Sequence, residues 1–484
     1  MNKKERKIAK IKYAICMILA ISCGALLVGA LVFFVQTSPD QPNELIPSET
    51  VVIIVTLMAI LLILLTVMII HLSIRRHRTI DVEVEQISVA ADIKSVTATT
   101  ADIEGGGIVA TVGAGASVKS EGSGEKVRFD KLCRLDERKD SFKRDDYDDT
   151  VSLKAFCENF RAFCSNRLKL YYDIEDIRRF IAGMAVSNLI ILQGMSGTGK
   201  TSLAYAFGTY LDNRAVVVPV QPMWKERTDL IGYYNEFTKS FNETTLLAAM
   251  YEANYSKDIY ITILDEMNIA RVEYYFAEFL SLLELPEKEK RTLDVVSTTW
   301  DNDPEQIANG KITLPTNMWF IGTANNDDST FAISDKVYDR AMILNLDTKA
   351  EPFVAPYTKT THLSAERFMK LAKEAQEEYG ITRRNVNRLE ALDKQLIESF
   401  HITFGNRIMK QIREYIPVYV ACGGDELKAL DDILSKKVLR KLETQSPTYI
   451  RAHKDEFFAL LDKLFGPDEM RACRATVDRI ADSA

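Results

Sequence analysis

The sequence predicts an α/β protein: a parallel sheet of about five strands sandwiched by helices, an α-helical C-terminal lid domain and two N-terminal transmembrane helices. Three observations carry this prediction. Short apolar, β-branched runs recur between helical patterns at residues 188–194, 215–220, 259–264, 317–323 and 341–346, as expected of a parallel sheet buried on both faces. After about residue 347 the strand patterns stop and only helical periodicity continues. Near the start of the chain, residues 15–35 and 51–70 carry no charged side chain, and each is long enough to cross a ~30 Å hydrocarbon core as a helix.

The flanks of these two spans set their orientation. Lys3, Lys4, Arg6, Lys7, Lys10 and Lys12 precede the first, and Arg75, Arg76 and Arg78 follow the second. The segment 36–50 between them has Asp40, Glu44 and Glu49 but no Lys or Arg. The positive-inside rule therefore predicts a hairpin, residues 1–78, in the cell membrane. Its N-terminus and everything after residue 78 lie in the cytoplasm. Residues 79–127 read as a flexible linker, poor in apolar side chains and with Gly105, Gly106, Gly107, Gly122 and Gly124, although their loose alternation also permits a small β element.

Composition narrows the function classes. The 484-residue chain has a net charge of −7, which argues against a dominant nucleic-acid surface. Its seven cysteines form no metal-ligand spacing, and a cytoplasmic location predicts reduced thiols. Residues 128–185 read as a helical extension: Leu153, Phe156, Cys157, Phe160, Phe163, Cys164 and Leu168 form one apolar helix face, and a second helix covers residues 174–185. Residues 186–350 form the nucleotide-binding core. Residues 351–484 form the lid domain, with helices expected at 366–379, 386–400, 407–421, 426–442 and 456–464.

The core carries the chemistry. Its first strand runs into Gly194-Met195-Ser196-Gly197-Thr198-Gly199-Lys200-Thr201, which fits the phosphate-binding loop G-x-x-x-x-G-K-[ST]. Glycines let successive N–H groups point inward at phosphate oxygens, and the helix that follows adds its positive N-terminal end. Lys200 is expected to reach the β- and γ-phosphates, and the Thr201 hydroxyl to ligate Mg²⁺. The strand at 259–264 ends in Asp265-Glu266, two acids at the C-terminal edge, where α/β sheets bind ligands. Asp265 is expected in the metal shell. Glu266 is then the catalytic base that orients and deprotonates water. ATP is the expected nucleotide on frequency alone. GTP stays possible because the loop reads only phosphates.

These motifs resemble the AAA+ superfamily, in the branch that holds McrB-type, dynein-related and MoxR-like ATPases. The resemblance covers about residues 170–350, and the helical tail fits the family's lid. Residues 317–325 resemble the sensor-1 strand, which implies that Asn325 contacts the γ-phosphate or the attacking water. Asp265-Glu266-Met267-Asn268 is similar to the Asp-Glu-Ile-Asn of McrB relatives, and residues 277–284 to the helix that follows it. Asp328 falls on the Asp of an Asn-x-x-Asp segment. Arg340 falls on the arginine that acts in trans, which implies a homo-oligomer, a hexameric ring on the family pattern, working on a protein client.

The chain also departs from that pattern. A cation is displaced to Arg271, and one arginine stands where the group has three. Several positions keep two readings. Asp229-Leu230-Ile231-Gly232-Tyr233 suits a turn near a central pore or a plain turn with a buried Leu-Ile pair. Trp300 and Asp301-Asn302-Asp303-Pro304, in the insertion 291–315 where the branch carries a β-hairpin, suit substrate contact or a polar loop. Arg407 suits a sensor-2 position or an ordinary basic helix start. Tyr171-Tyr172-Asp173-Ile174 suits the flank of the base or a helix entry.

Overall fold

The computed structural model describes residues 127–482, except residues 214, 326–329 and 348. The expected membrane spans, the linker and Asp328 lie outside the described residues. Among the described residues, no helix is long and apolar enough to cross a membrane.

The described residues begin with α1 (Asp130–Asp136), α2 (Leu153–Phe163) and α3 (Ile174–Val186), then β1 (Leu189–Gly194), α4 (Lys200–Tyr210) and β2 (Val216–Pro219). Next come α5 (Arg227–Ile231), β3 (Gly232–Asn235), β4 (Ser240–Glu243), α6 (Thr245–Ala253) and β5 (Tyr260–Asp265). The core continues through α7 (Val272–Tyr275), α8 (Ala277–Leu283), β6 (Thr292–Asp294), β7 (Lys311–Thr313), β8 (Met318–Asn325), α9 (Asp335–Tyr338) and β9 (Met342–Asn345). The helical C-terminal region holds α10 (Ala365–Glu378), α11 (Arg383–Phe400), α12 (Gly405–Ala421), α13 (Glu426–Lys437), α14 (Pro447–Phe465) and α15 (Arg471–Asp482).

The five expected strands form one parallel sheet in the order β2-β5-β8-β1-β9. Strand periodicity explains why both faces are buried. Leu189 and Ile191 belong to one core, Ile190 and Leu192 to the other, and Met318 and Phe320 alternate with Trp319 and Ile321 in the same way. Helices α2, α3 and α4 and the C-terminal helices fill the core of Ile190 and Leu192, while α6 and α8 fill that of Leu189 and Ile191. Trp319 joins the sheet to its helices: its indole N–H donates to Met184 O at 2.8 Å and its ring meets Phe368 of α10 edge-on. The order places the C-terminal ends of β5, β8 and β1 side by side, although β1 and β5 are far apart in sequence.

Two helix boundaries differ from the sequence reading, and the helical extension starts in a stretch without clear periodicity. The charged stretch after residue 127 folds: α1 buries Leu132 and Leu135, with Phe129 just before it against Phe241. Helix α14 begins nine residues earlier than expected, with Pro447 in its first turn, where a missing N–H leaves no bond unmade. The helix expected over 426–442 ends at Lys437 and tightens into a 3₁₀ turn, Leu439–Thr444.

Residues 291–315 contain a hairpin, β6 paired antiparallel with β7. Its Trp300 and Asp303 face inward. Arg128 donates to Asp303 Oδ1 at 2.7 Å and to Thr298 O at 2.6 Å, with its guanidinium 4.7 Å from the Trp300 ring. The Arg128 and Asp303 side chains are both buried, so the polar-loop reading accounts for Asp303.

Candidate nucleotide-hydrolysis site

The phosphate loop keeps its shape through two close approaches. At Gly194 φ is +141°, and a Cβ there would lie 2.4 Å from Leu346 O on the neighbouring chain segment. At Gly199 φ is +93°, and the Tyr172 ring packs where a side chain would go while its hydroxyl donates to Gly199 O at 3.0 Å. Only glycine meets both demands without strain. Of the four residues 171–174, Tyr172 is therefore tied to the loop itself, and Asp173 caps α3 by accepting from Glu175 N. Met195, Ser196 and Gly197 form the exposed crest of the loop, and the hydroxyl of half-buried Thr198 donates to Met195 O.

Lys200 is buried, and its Nζ donates to Gly194 O at 2.9 Å and Met195 O at 2.7 Å. Its ammonium thus folds back over the loop, where a phosphate oxygen is a stronger, charged acceptor. Thr201 Oγ1 donates to Asp265 Oδ1 at 2.8 Å, and Thr323 Oγ1 donates to the same oxygen at 2.9 Å. The Thr323 hydroxyl in turn accepts from Glu266 N at 2.9 Å. Thr323 thus connects the two acids to the sensor strand. Its signal in the sequence is a polar side chain two places before Asn325, on the same face of an otherwise apolar strand.

Glu266 sits in the left-handed region (φ 52°, ψ 45°), a conformation costing about 1–2 kcal/mol for a non-glycine residue. The bond to Thr323 and the 3₁₀ turn Met267–Ile269, in which Ile269 N donates to Glu266 O, hold it there. The result is an exposed carboxylate at the mouth of the sheet edge.

Asn268 does more than complete a motif. It is buried, donates to Asn325 O at 2.9 Å and to Phe331 O at 3.3 Å, and accepts from Asn325 N at 3.3 Å. It thereby ties Asn325 to Phe331. Asn325 lines a cleft of about 1200 Å³ together with Gln193, Asn268 and Asp347.

Arg340 and Arg407 meet elsewhere. Arg340 Nη2 donates to Glu284 Oε2 at 2.5 Å and Nη1 to Lys336 O at 2.7 Å, while Arg407 pairs with the other oxygen of Glu284. Arg407 does not line the cleft beside Asn325. The cations there are Arg179, Lys436, Arg440 and Arg479, each paired with an acid. Arg407, on α12, thus meets Glu284 and not the cleft beside Asn325. Arg271 lies over the Tyr274 and Phe331 rings. Asp229 caps the short helix α5 by accepting from Lys225 N and Glu226 N, and Leu230 and Ile231 are buried. The plain-turn reading accounts for these three residues.

Residues 189–341 match the family model of an AAA domain of the dynein-related subfamily. Residues 355–483 match a family model described only as a domain of unknown function. No curated protein matches the chain. Among solved structures, the chain is similar to a candidate ATPase from Cytophaga hutchinsonii at 14% identity and a TM-score of 0.38, covering 56% of this chain and 79% of that one. It is also similar to a full-length MCM homolog from Methanopyrus kandleri at 12% identity and a TM-score of 0.32, covering 62% and 58%. Residues 189–341 thus fit an AAA+ ATPase-type α/β core with a P-loop.

Proposed function

We propose that this chain is a membrane-anchored, Mg²⁺-dependent ATPase that works as a ring of like chains, a hexamer on the family resemblance, to remodel or move a protein client. The observation that supports it most is the meeting of Lys200, Thr201, Asp265, Glu266 and Asn325 at the adjoining ends of β1, β5 and β8. Loop N–H groups and Lys200 bind the phosphates, Asn325 orients the γ-phosphate or the attacking water, and Glu266 takes the water's proton. Arg340 acts on the site of the neighbouring protomer.

The donor set fits magnesium: the Thr201 hydroxyl and the Asp265 carboxylate are hard oxygens 2.8 Å apart. Mg²⁺ takes one or two such protein ligands and completes its shell with phosphate oxygens and water. When bound, it would neutralise charge developing on the phosphate oxygens. The two charge-free spans and their basic flanks support the anchor, and the acidic balance supports a protein client over a nucleic acid.

Phosphate release by the detergent-solubilised full-length chain tests the reading. Glu266→Gln is expected to keep nucleotide binding and lose turnover by ~10²–10⁴-fold. Undiminished turnover overturns the assignment, and a wild-type chain that binds nucleotide without releasing phosphate points to a nucleotide-gated adaptor. Competition between ATP and GTP identifies the nucleotide, and resistance to carbonate extraction tests the membrane anchor.

A further inference from the structure

Lys437, on α13 of the C-terminal region, is buried at 4% exposure. The proposed chemistry gives it no task. Its Nζ donates to Tyr338 O at 2.6 Å, to Ala341 O at 2.5 Å and to Asp339 O at 3.3 Å. An ammonium has three donors, and here three backbone carbonyls receive them. Those carbonyls belong to the turn that closes α9 and surrounds Arg340. The last carbonyls of a helix are orphans by construction and favour a cation. Burying a charge among apolar helices is costly unless its hydrogen bonds are complete. The ammonium and the turn therefore depend on each other.

Other C-terminal side chains hold the same turn. Gln411 Nε2 donates to Asp339 O at 3.2 Å, Arg440 pairs with Asp335 and lies 3.9 Å over the Tyr338 ring, and Lys441 is 3.9 Å from Asp339. From the opposite side, Tyr338 OH donates to Gln193 Oε1 at 3.0 Å, on the strand that ends in the phosphate loop. The turn carrying Arg340 thus lies between the nucleotide strand and the C-terminal helices, and Lys437 is the contact made to its backbone at three points.

We propose that Lys437 is a positioning residue for Arg340: it fixes the turn that presents this arginine to a neighbouring protomer, so that docking of the C-terminal helices licenses hydrolysis next door. This rests on the reading of Arg340 as acting in trans. It gives the matched domain of unknown function a defined task, which is to hold the turn in the geometry that the neighbour's site requires. Losing the three bonds frees the turn without touching the phosphate loop of the same protomer. Such displacement of a charge-stabilising group is felt in turnover before it is felt in binding.

The experiment uses the full-length chain in detergent and compares wild type, Lys437→Met, Arg340→Ala and the double variant. Phosphate release, affinity for a fluorescent ATP analogue and ring size by mass photometry are measured. Lys437→Met is expected to lower kcat by ~10–100-fold with nucleotide affinity and ring size unchanged. The double variant is expected to be no slower than Arg340→Ala.

Mixing Lys437→Met protomers with Glu266→Gln protomers is expected to restore phosphate release, because intact arginines from the second set then serve the hydrolytic sites of the first. A folding defect gives no such rescue. Gln411→Met, which removes the adjoining bond to Asp339 O without moving a charge, is expected to show a smaller loss with the same rescue, and it decides the matter if Lys437→Met does not fold. Full turnover in assembled rings, or loss without rescue, overturns the proposal. If Arg340→Ala itself keeps full activity in rings, the trans-arginine reading fails first. If Arg340→Ala is inactive while Lys437→Met is not, only the role of Lys437 falls.

Discussion

Thr201 and Asp265 are joined by a 2.8 Å hydrogen bond that ties the first turn of α4 to the last residue of β5. The two are 64 positions apart in sequence, and their contact brings the two halves of the nucleotide chemistry together. Thr201→Ala and Asp265→Asn remove one oxygen ligand or one charge without disturbing the loop's backbone. Both variants are expected to need a higher Mg²⁺ concentration for half-maximal phosphate release, measured by magnesium titration. Lys200→Ala is expected to abolish nucleotide binding, read by the fluorescent analogue.

Asn268 is buried and holds the end of β8 to Phe331. Asn268→Ala strips partners from the Asn325 N–H and carbonyl, a change costing about 1–3 kcal/mol when such groups stay buried. It is expected to lower the midpoint of thermal unfolding and to reduce kcat more than nucleotide affinity, because Asn325 loses its anchor.

Glu284 is shared by Arg340 and Arg407. Glu284→Gln keeps the shape and removes the charge that holds the two guanidiniums together. Turnover per assembled ring is expected to change while the nucleotide affinity of the separated protomer does not. A parallel shift in both quantities shows that Glu284 acts on its own protomer's site.

Arg128 is the second described residue, and it is buried against Asp303. Removing one partner of a buried pair strands the other charge and costs about 3–5 kcal/mol. Arg128→Met is expected to destabilise the chain in urea titration, and Arg128→Met with Asp303→Leu to recover much of the loss. A variant as stable as wild type means that the pair adds nothing.

Desolvation pushes the Lys437 ammonium down to about 7 from an ordinary value of 10.5. Asp339 favours the charged form, while Arg440, Arg407 and Lys441 oppose it. Between those two values the unfolded chain holds the proton and the folded chain releases it. By linkage, this group makes stability rise with pH across that window, by at most ~1.4 kcal/mol per pH unit. Lys437→Met is expected to flatten the rise, measured by urea unfolding at pH 6.5, 8 and 9.5. Equal slopes in the two proteins place the titration elsewhere.

Periodicity and local chemistry made much of the core legible in the sequence. Strands buried on both faces read as unbroken apolar runs, so all five strands of the sheet could be found, and the phosphate loop is a contiguous motif whose glycines serve its own backbone. The edges of helices were less legible. Helix α1 lies in a charged stretch whose few apolar residues pack against a distant hairpin, and the start of α14 is hidden by a proline that its first turn accepts.

What the sequence by itself determined is the order of the elements, the phosphate loop and the acidic pair at a strand end, because each is specified within a few consecutive residues. Only the tertiary structure decided which distant side chains share a partner. It paired Arg407 with Glu284 beside Arg340, turned Asp303 and Trp300 inward onto Arg128, and set Lys437 on the Ala341 carbonyl 96 positions away. The physical reason is that a charged side chain has no fixed position in a periodic pattern. Its partner is chosen by whichever backbone or carboxylate the packed helices bring within hydrogen-bond reach, and burial makes that choice binding.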